Sequence, residues 1–401
     1  MFSGCTWLHA PPYRCAISSW PLYRLRCCKV PMVNSVRIAI VGDVHDDWSL
    51  EEDTKALQLL KPDLVMFTGD FGNENVDLVE SISKLDFSKA IILGNHDAWN
   101  TQKFSASFIQ DLTYIYHVFV LLDFHLPSVL FPRSKEKDPT PFLPPFEYNV
   151  LSDAVQLQLE FLGDEHVGYG RIDFPNLKLS IVGGRPFSCG GEHLFRKKLL
   201  TARYGVHDMD ESAKKIYEAA LGTPADHSII FLAHNGPSGL GSNVDDICGR
   251  DWIPGAGDHG DPDLAHAISQ LKEDTKLQIK LVVFGHMHKN LAYGQGLRKM
   301  IAIADDNTIY VNGAVVPRVK TMGKEQVNYA TSSNPEKTSA MTSDLGGTKR
   351  AFTIADIFDG NLEKVAETWV SVTGEQVKIE DELIIFSKAA ESSKHSSCSV
   401  L

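Results

Sequence analysis

Five short apolar runs in this chain each end in a small polar cluster, and that repetition limits the fold more than any other property of the sequence. Ile38–Val41 leads into Gly42-Asp43-Val44-His45, and Leu64–Phe67 into Thr68-Gly69-Asp70. Ala90–Leu93 leads into Gly94-Asn95-His96-Asp97, Ile229–Leu232 into Ala233-His234-Asn235-Gly236, and Leu281–Phe284 into Gly285-His286-Met287-His288. Short apolar runs closed by glycine read as buried strands. One such ending carries little weight, because strand-end turns are often built from Gly, Asn and Asp. Five of them deliver His, Asp or Asn where open α/β sheets place their ligand sites, at the carboxyl ends of the strands.

The intervening segments supply helices. Ser49 has the character of an N-cap, followed by Glu51, Glu52 and Asp53 in a first turn; that helix runs to about Leu60 and is stopped by Lys61-Pro62. A second helix is expected over roughly Asn75–Lys84. Strand and helix alternating at this spacing give a parallel sheet with crossover helices. Helices are also expected over Ser152–Leu162, Asp210–Leu221 and Leu264–Leu271, with a strand at Leu177–Val182. Beyond the last His pair the pattern changes to short strands, Lys299–Ala304, Thr308–Asn312, Ala351–Phe358 and Glu363–Val370. Turns such as Asp306-Asn307 and Asp359-Gly360-Asn361 join them. These strands are expected to form the far part of a second sheet. The resulting fold class is α/β, a four-layer α/β/β/α sandwich of two mixed β-sheets with the polar strand ends at one edge.

At 401 residues the chain suffices for one large domain or two ordinary ones. Residues 1–36 stand apart: they carry Arg14, Arg24, Arg26 and Lys29 and no Asp or Glu, so removing their four positive charges takes the net charge from −12 to −16. An acid-poor leader that contains Arg and Ser, without a continuous apolar core, reads as an organelle transit peptide or a disordered tail. The main domain is expected over 37–388, followed by a polar tail at 389–401. Residues 100–150 break the strand–helix rhythm and read as an irregular insertion, poor as a membrane span because Asp123, His125 and Pro127 interrupt it. The Ser-, Thr-, Gly- and Lys-rich stretch 321–349 reads as a mobile loop. The acidic balance argues against a large nucleic-acid surface. The scattered cysteines Cys189, Cys248 and Cys398 suggest neither a disulfide framework nor a zinc knuckle.

Gathered from the strand ends are Asp43, His45, Asp70, Asn95, His96, Asp97, His234, His286 and His288. Imidazole, amide and carboxylate donors without thiolate suit manganese, iron or zinc in a catalytic rather than a structural setting. The set is too large for one ion and fits two ions sharing a carboxylate, with about 4 Å between them.

The order Asp43-x-His45, Gly69-Asp70, Gly94-Asn95-His96-Asp97, His234 and Gly285-His286-x-His288 resembles the calcineurin-like metallophosphoesterase superfamily over roughly residues 36 to 320. The resemblance implies a metallo-dependent phosphatase-like fold. It implies Asp43, His45 and His288 on one metal, Asn95, His234 and His286 on a second, and Asp70 between them. His96 would stay off the metals and act on the substrate as general acid, paired with Asp97. The activity implied is dinuclear metal-dependent phosphoester hydrolysis, as a phosphatase or phosphodiesterase, with a metal-bridging hydroxide attacking phosphorus in line. The alternative is a catalytically weak, metal-binding regulatory protein on the same fold. Gly183-Gly184-Arg185-Pro186-Phe187 and the stretch from Trp252-Ile253-Pro254-Gly255 to Gly260-Asp261-Pro262-Asp263 resemble a plant and cyanobacterial subgroup. With the leader, that points to the chloroplast, ahead of mitochondrion or cytoplasm.

Three residues are candidates for substrate contact. Arg185 suits bidentate binding of a phosphate oxygen or a structural salt bridge. Asn235 suits positioning of substrate or support of the turn at Gly236. His259, beside Asp258 and Asp261, lies in a loop able to overhang the site. Trp48 and Trp99 follow motif blocks and suit packing under the loops or stacking on a base or sugar. The expected partner is a small phosphorylated substrate or a phosphoprotein.

Overall fold

The computed structural model describes residues 35–103, 153–294, 296–322 and 346–389. The expected leader falls outside these, apart from its last two residues, as does most of the insertion, of the 321–349 loop and of the polar tail.

Among the described residues the strands form two mixed sheets. The first has the order β13-β12-β11-β1-β2-β3, with β10 also paired to β11. Here β1 is Ser35–Val41, β2 Leu64–Phe67, β3 Lys89–Ile91, β10 Val319–Thr321, β11 Thr348–Phe358, β12 Asn361–Thr373 and β13 Gln376–Ser387. The second has the order β4-β5-β6-β7-β9-β8, with β4 Arg171–Phe174, β5 Leu179–Gly183, β6 Ser228–Leu232, β7 Ile279–Phe284, β8 Ile301–Ile303 and β9 Ile309–Asn312. β1, β2 and β3 are parallel, as are β5, β6, β7 and β9. The helices are α1 Leu50–Leu60, α2 Val76–Ser83, α3 Ala154–Leu162, α4 Lys197–Tyr204, α5 Met209–Ala220 and α6 Pro262–Asp274. No described helix is long and apolar enough to cross a membrane.

The strand runs are apolar at every position because both their faces are covered. Ile38, Ile40, Met66, Ile92, Ile230, Leu232, Leu281 and Val283 meet in one cluster that draws on both sheets. Their neighbours in the first sheet, Ala39, Val41, Val65, Phe67, Ile91 and Leu93, pack with α1 and α2 residues. Phe231, Val282 and Phe284 of the second sheet pack with α5 and α6 residues. The period-2 alternation of side chains thus sorts each run into an inter-sheet core and a helix-covered face, which is the four-layer α/β/β/α arrangement.

The helix ends follow capping chemistry. Ser49 caps α1 by accepting from Glu52 N, Asn75 caps α2 by accepting from Leu78 N, and Asp208 caps α5 by accepting from Glu211 N. The structure corrects the placement of the C-terminal strands. β8 and β9 join the second sheet, but β11 pairs antiparallel with β1, so β11–β13 complete the first sheet. The reason is the ladder edge of β1: its partner on one side is β2, and the buried N–H and C=O groups on its other side require a strand there. These strands are 11, 13 and 12 residues long rather than short.

Candidate metal centre

The carboxyl ends of β1, β2, β3, β6 and β7 converge where the two sheets meet, and each leaves its strand through a sharp turn. His45, Asp70 and His286 adopt positive φ values of 43°, 52° and 65°. Non-glycine residues in that region store strain and cluster at functional sites. The glycines of the motifs make room. A Cβ on Gly94 would collide with Asp70 Oδ1 and the His234 ring, and one on Gly285 with Asp43 Oδ1 and Thr68 Oγ1.

Three groups of donor atoms lie within 4.8 Å of one another: Asp43, His45 and His288; His45, Asp70 and His96; and Asp70, His234 and His286. His45 Nε2 is 3.0 Å from His288 Nε2, and His288 Nε2 is 3.5 Å from Asp43 Oδ2. Asp70 reaches both ends of the cluster, with Oδ2 3.8 Å from His45 Nε2 and Oδ1 3.3 Å from His234 Nε2. Asn95 Oδ1 is 2.9 Å from the same His234 nitrogen.

The donor chemistry fits cations. His234 Nδ1–H donates to the Thr68 carbonyl at 2.7 Å, which leaves Nε2 as the nitrogen facing two oxygen acceptors. A carbonyl behind a ligating imidazole is the usual outer partner in metal sites. In the protein alone the field asks for positive charge. Burial lowers the His234 pKa, yet Asp70 and Asp43 outweigh it and hold it up at about 10. Burial raises Asp70, but His234, His96 and His286 pull it far below the ordinary carboxylate range. Asp43 is likewise held low by His288 and His234 against the effect of burial. Burial, then the charge of His234, pushes His286 down to about 3. Neutral His286 and ionised Asp43 and Asp70 are in the forms that ligate metal, while His234 would give up its proton to a cation bound there.

One expected pairing is not made. Asp97 does not orient His96; its Oδ2 accepts from Asp70 N and Gly94 N at 2.9 and 2.8 Å, and its Oδ1 from Phe71 N at 2.8 Å. Consecutive side chains on the short 3₁₀ turn His96–Ala98 point apart. Asp97 therefore ties the turn after β2 to the turn after β3. The orienting partner of His96 is Asn73: Nδ1 donates to Asn73 Oδ1 at 2.7 Å, while Trp99 stacks on the ring at 4.8 Å between centroids and 12° between planes. Asn73 lies in the turn Phe71-Gly72-Asn73-Glu74-Asn75 just past the Asp70 block, and its proximity to that block was the only signal in the sequence. Thr68 was legible only as part of its motif. Besides accepting from His234, it donates through Oγ1 to Asp43 Oδ1 at 3.1 Å.

The substrate candidates occupy a buried network beside the cluster. Arg185 is 1% exposed and ion-paired with Asp261 at 2.8 Å and Asp263 at 2.9 Å. Its guanidinium is taken up by carboxylates, so the salt-bridge alternative describes it and phosphate binding does not. Asn235 donates to the His259 carbonyl at 2.8 Å and so supports the loop between β6 and α6. His259 donates from Nε2 to the Cys189 carbonyl at 2.8 Å, and its ring lies 6.2 Å from that of His286, at 25°. Of the three, His259 faces the cluster.

A family profile described as calcineurin-like phosphoesterase matches residues 36–290, a span that contains every one of these strand ends. Among solved structures, the chain is similar to a dimetal phosphatase from Danio rerio at 10% identity, with a TM-score of 0.36 and coverage of 88% of this chain and 99% of that one. No curated protein sequence matches the chain. With the profile spanning well over half of its length, the chain belongs to the calcineurin-like phosphoesterase family.

Proposed function

We propose that this protein is a dinuclear metal-dependent phosphoester hydrolase acting on a small phosphorylated substrate or a phosphoprotein. The observation that carries the reading is the position of Asp70, whose two oxygens face His45 on one side and His234 on the other. Asp43, His45 and His288 would hold one cation, Asn95, His234 and His286 a second, and Asp70 would serve both. Manganese, iron and zinc suit this donor set. Bound there, two such ions supply Lewis acidity that makes water nucleophilic near neutral pH and offsets the charge of a phosphate ester.

The chain's own residues do the rest. Asp97 fixes the β2 and β3 turns to each other, which sets the spacing between Asp70 and Asn95. Thr68 holds His234 in one tautomer and Asp43 in one rotamer. Asn73 and Trp99 hold the His96 ring, a nitrogen of which lies within 4.8 Å of donor atoms of His45 and Asp70. Protonated on both nitrogens, His96 can pass a proton to the leaving oxygen of an ester.

The Gly183–Phe187 and Trp252–Asp263 blocks support membership of the plant and cyanobacterial subgroup. The acid-free composition of residues 1–36 supports a transit segment for the chloroplast ahead of one catalytic domain over 37–388.

Turnover of simple phosphomonoesters and phosphodiesters, with metal analysis of the same sample, tests the reading. Hydrolysis that chelation abolishes and added manganese, iron or zinc restores is the expected result. Two bound metals with no turnover of either ester class would leave the regulatory alternative standing instead.

A further inference from the structure

Two chains of ring contacts lead outward from the cluster, and each ends on an exposed indole. One runs from His288 through His45 and His96 to Trp99. The other runs from His234 to His286 at 5.0 Å, to His259 at 6.2 Å and to Trp252 at 4.8 Å and 86°. Trp99 already has one face on His96, and among the described residues the ring of Phe195 lies 6.3 Å away. Among the described residues the ring contact of Trp252 is the edge-to-face one with His259, and Trp252 is 40% exposed, with Ile253 beside it at 42%.

The loop that carries Trp252 is held firmly. Arg250 N donates to Gly257 O at 2.8 Å, and its guanidinium donates twice to Ala256 O, at 2.8 and 3.2 Å. Asp251 accepts from Ala292 N at 2.6 Å and pairs with the buried Arg298 at 3.2 Å. On the inner side, His259 N donates to Cys248 O at 2.9 Å, and a Cβ on Gly190 would strike the His259 ring. The fold fixes the loop at both ends yet leaves its largest apolar side chains, Trp252 and Ile253, partly exposed. A rigid aromatic residue held exposed at the rim of a polar site is the arrangement by which sites fix the apolar part of a ligand.

Resting on the phosphoester reading above, we propose that Trp252, backed by His259, is a specificity residue that stacks on a planar aromatic ring in the organic part of the substrate, so that the substrate class is a nucleotide-like phosphoester. The phosphate would lie at the cluster and the ring on the His286 side of it. The net charge of −12 disfavours a polynucleotide and favours a small molecule.

Binding of two non-hydrolysable analogues to the metal-loaded protein tests the proposal. The methylenephosphonates of adenosine 5′-phosphate and of ribose 5-phosphate share the phosphonate and the sugar and differ in the base. Stacking on an aromatic side chain is worth about 1–3 kcal/mol per base, so the base should tighten binding on the order of 10-fold. Trp252→Ala should abolish that difference and Trp252→Phe should keep most of it, as read by calorimetric titration. Equal binding of the two analogues to the wild type, or a preference that survives in Trp252→Ala, would overturn the proposal. A preference lost in Trp99→Ala instead would also overturn it, placing the ring on the His96 side. Failure of both analogues to bind the wild type would overturn this proposal, and the phosphoester reading would then stand or fall on the turnover and metal analysis described above.

Discussion

On the proposed assignment His96 separates a hydrolase from a metal-binding scaffold, because its ring lies at the cluster while the two cations are assigned to other residues. His96→Ala should fold and keep its metals. It should lose about 10²–10⁴ in turnover on esters with poor leaving groups, which need protonation, and much less on an activated aryl ester. Equal losses on both esters would leave His96 with electrostatic stabilisation only. Asn73→Ala should reproduce part of the same pattern, since Asn73 and not Asp97 holds the ring; Asp97→Ala should instead lower metal content by loosening two turns. At this scale the cluster itself was legible, because ligand residue types recur at strand ends. The partner of His96 was not legible. Adjacent residues look paired in a sequence, while a turn of backbone points them apart.

The elements show where charge does structural work. Asp53 reads in the sequence as one of three acids in the first turn of α1. In the fold it is buried, 2.7 Å from Arg318 Nη2 and 2.7 Å from Arg350 Nη1, and it accepts from Ser49 N at 2.9 Å. It bolts α1 to the segment around β10 and β11. Asp53→Ala leaves two buried guanidinium groups short of a partner and should cost about 3–5 kcal/mol, measured as a lower urea midpoint. His166 marks a second such point, where the backbone after α3 docks on β3: Val167 N donates to Ile91 O at 2.8 Å. Burial, with a smaller contribution from Arg203, pushes His166 down to about 3. The unfolded chain therefore binds a proton that the folded chain refuses between about pH 6.5 and pH 3. Stability from this group is full above about pH 6.5 and falls as pH drops through that window, by up to about 1.4 kcal/mol per pH unit. His166→Gln should flatten that part of the curve of unfolding free energy against pH; an unchanged slope would assign the acid sensitivity to other groups.

Across the whole molecule, both halves of the sandwich contribute strand ends to one site, β1, β2 and β3 from the first sheet and β6 and β7 from the second. The layers were legible because the five runs that lead into the site are apolar throughout and helices such as α1, α2 and α5 carry capping residues. The destination of β11–β13 was not, because antiparallel strands with alternating patterns carry no mark of which sheet they join. Only the unfilled edge of β1 decides it. The same geometry makes the central claim measurable. Metal content of the purified protein and two variants, determined by elemental analysis on one preparation scheme, addresses it directly. The wild type should hold about two transition-metal ions per chain. Asp70→Asn should lower the occupancy of both, because its carboxylate faces both donor groups, and His45→Ala should chiefly empty one. Asp70→Asn with both ions retained, alongside His45→Ala with both lost, would contradict the shared carboxylate on which the account rests.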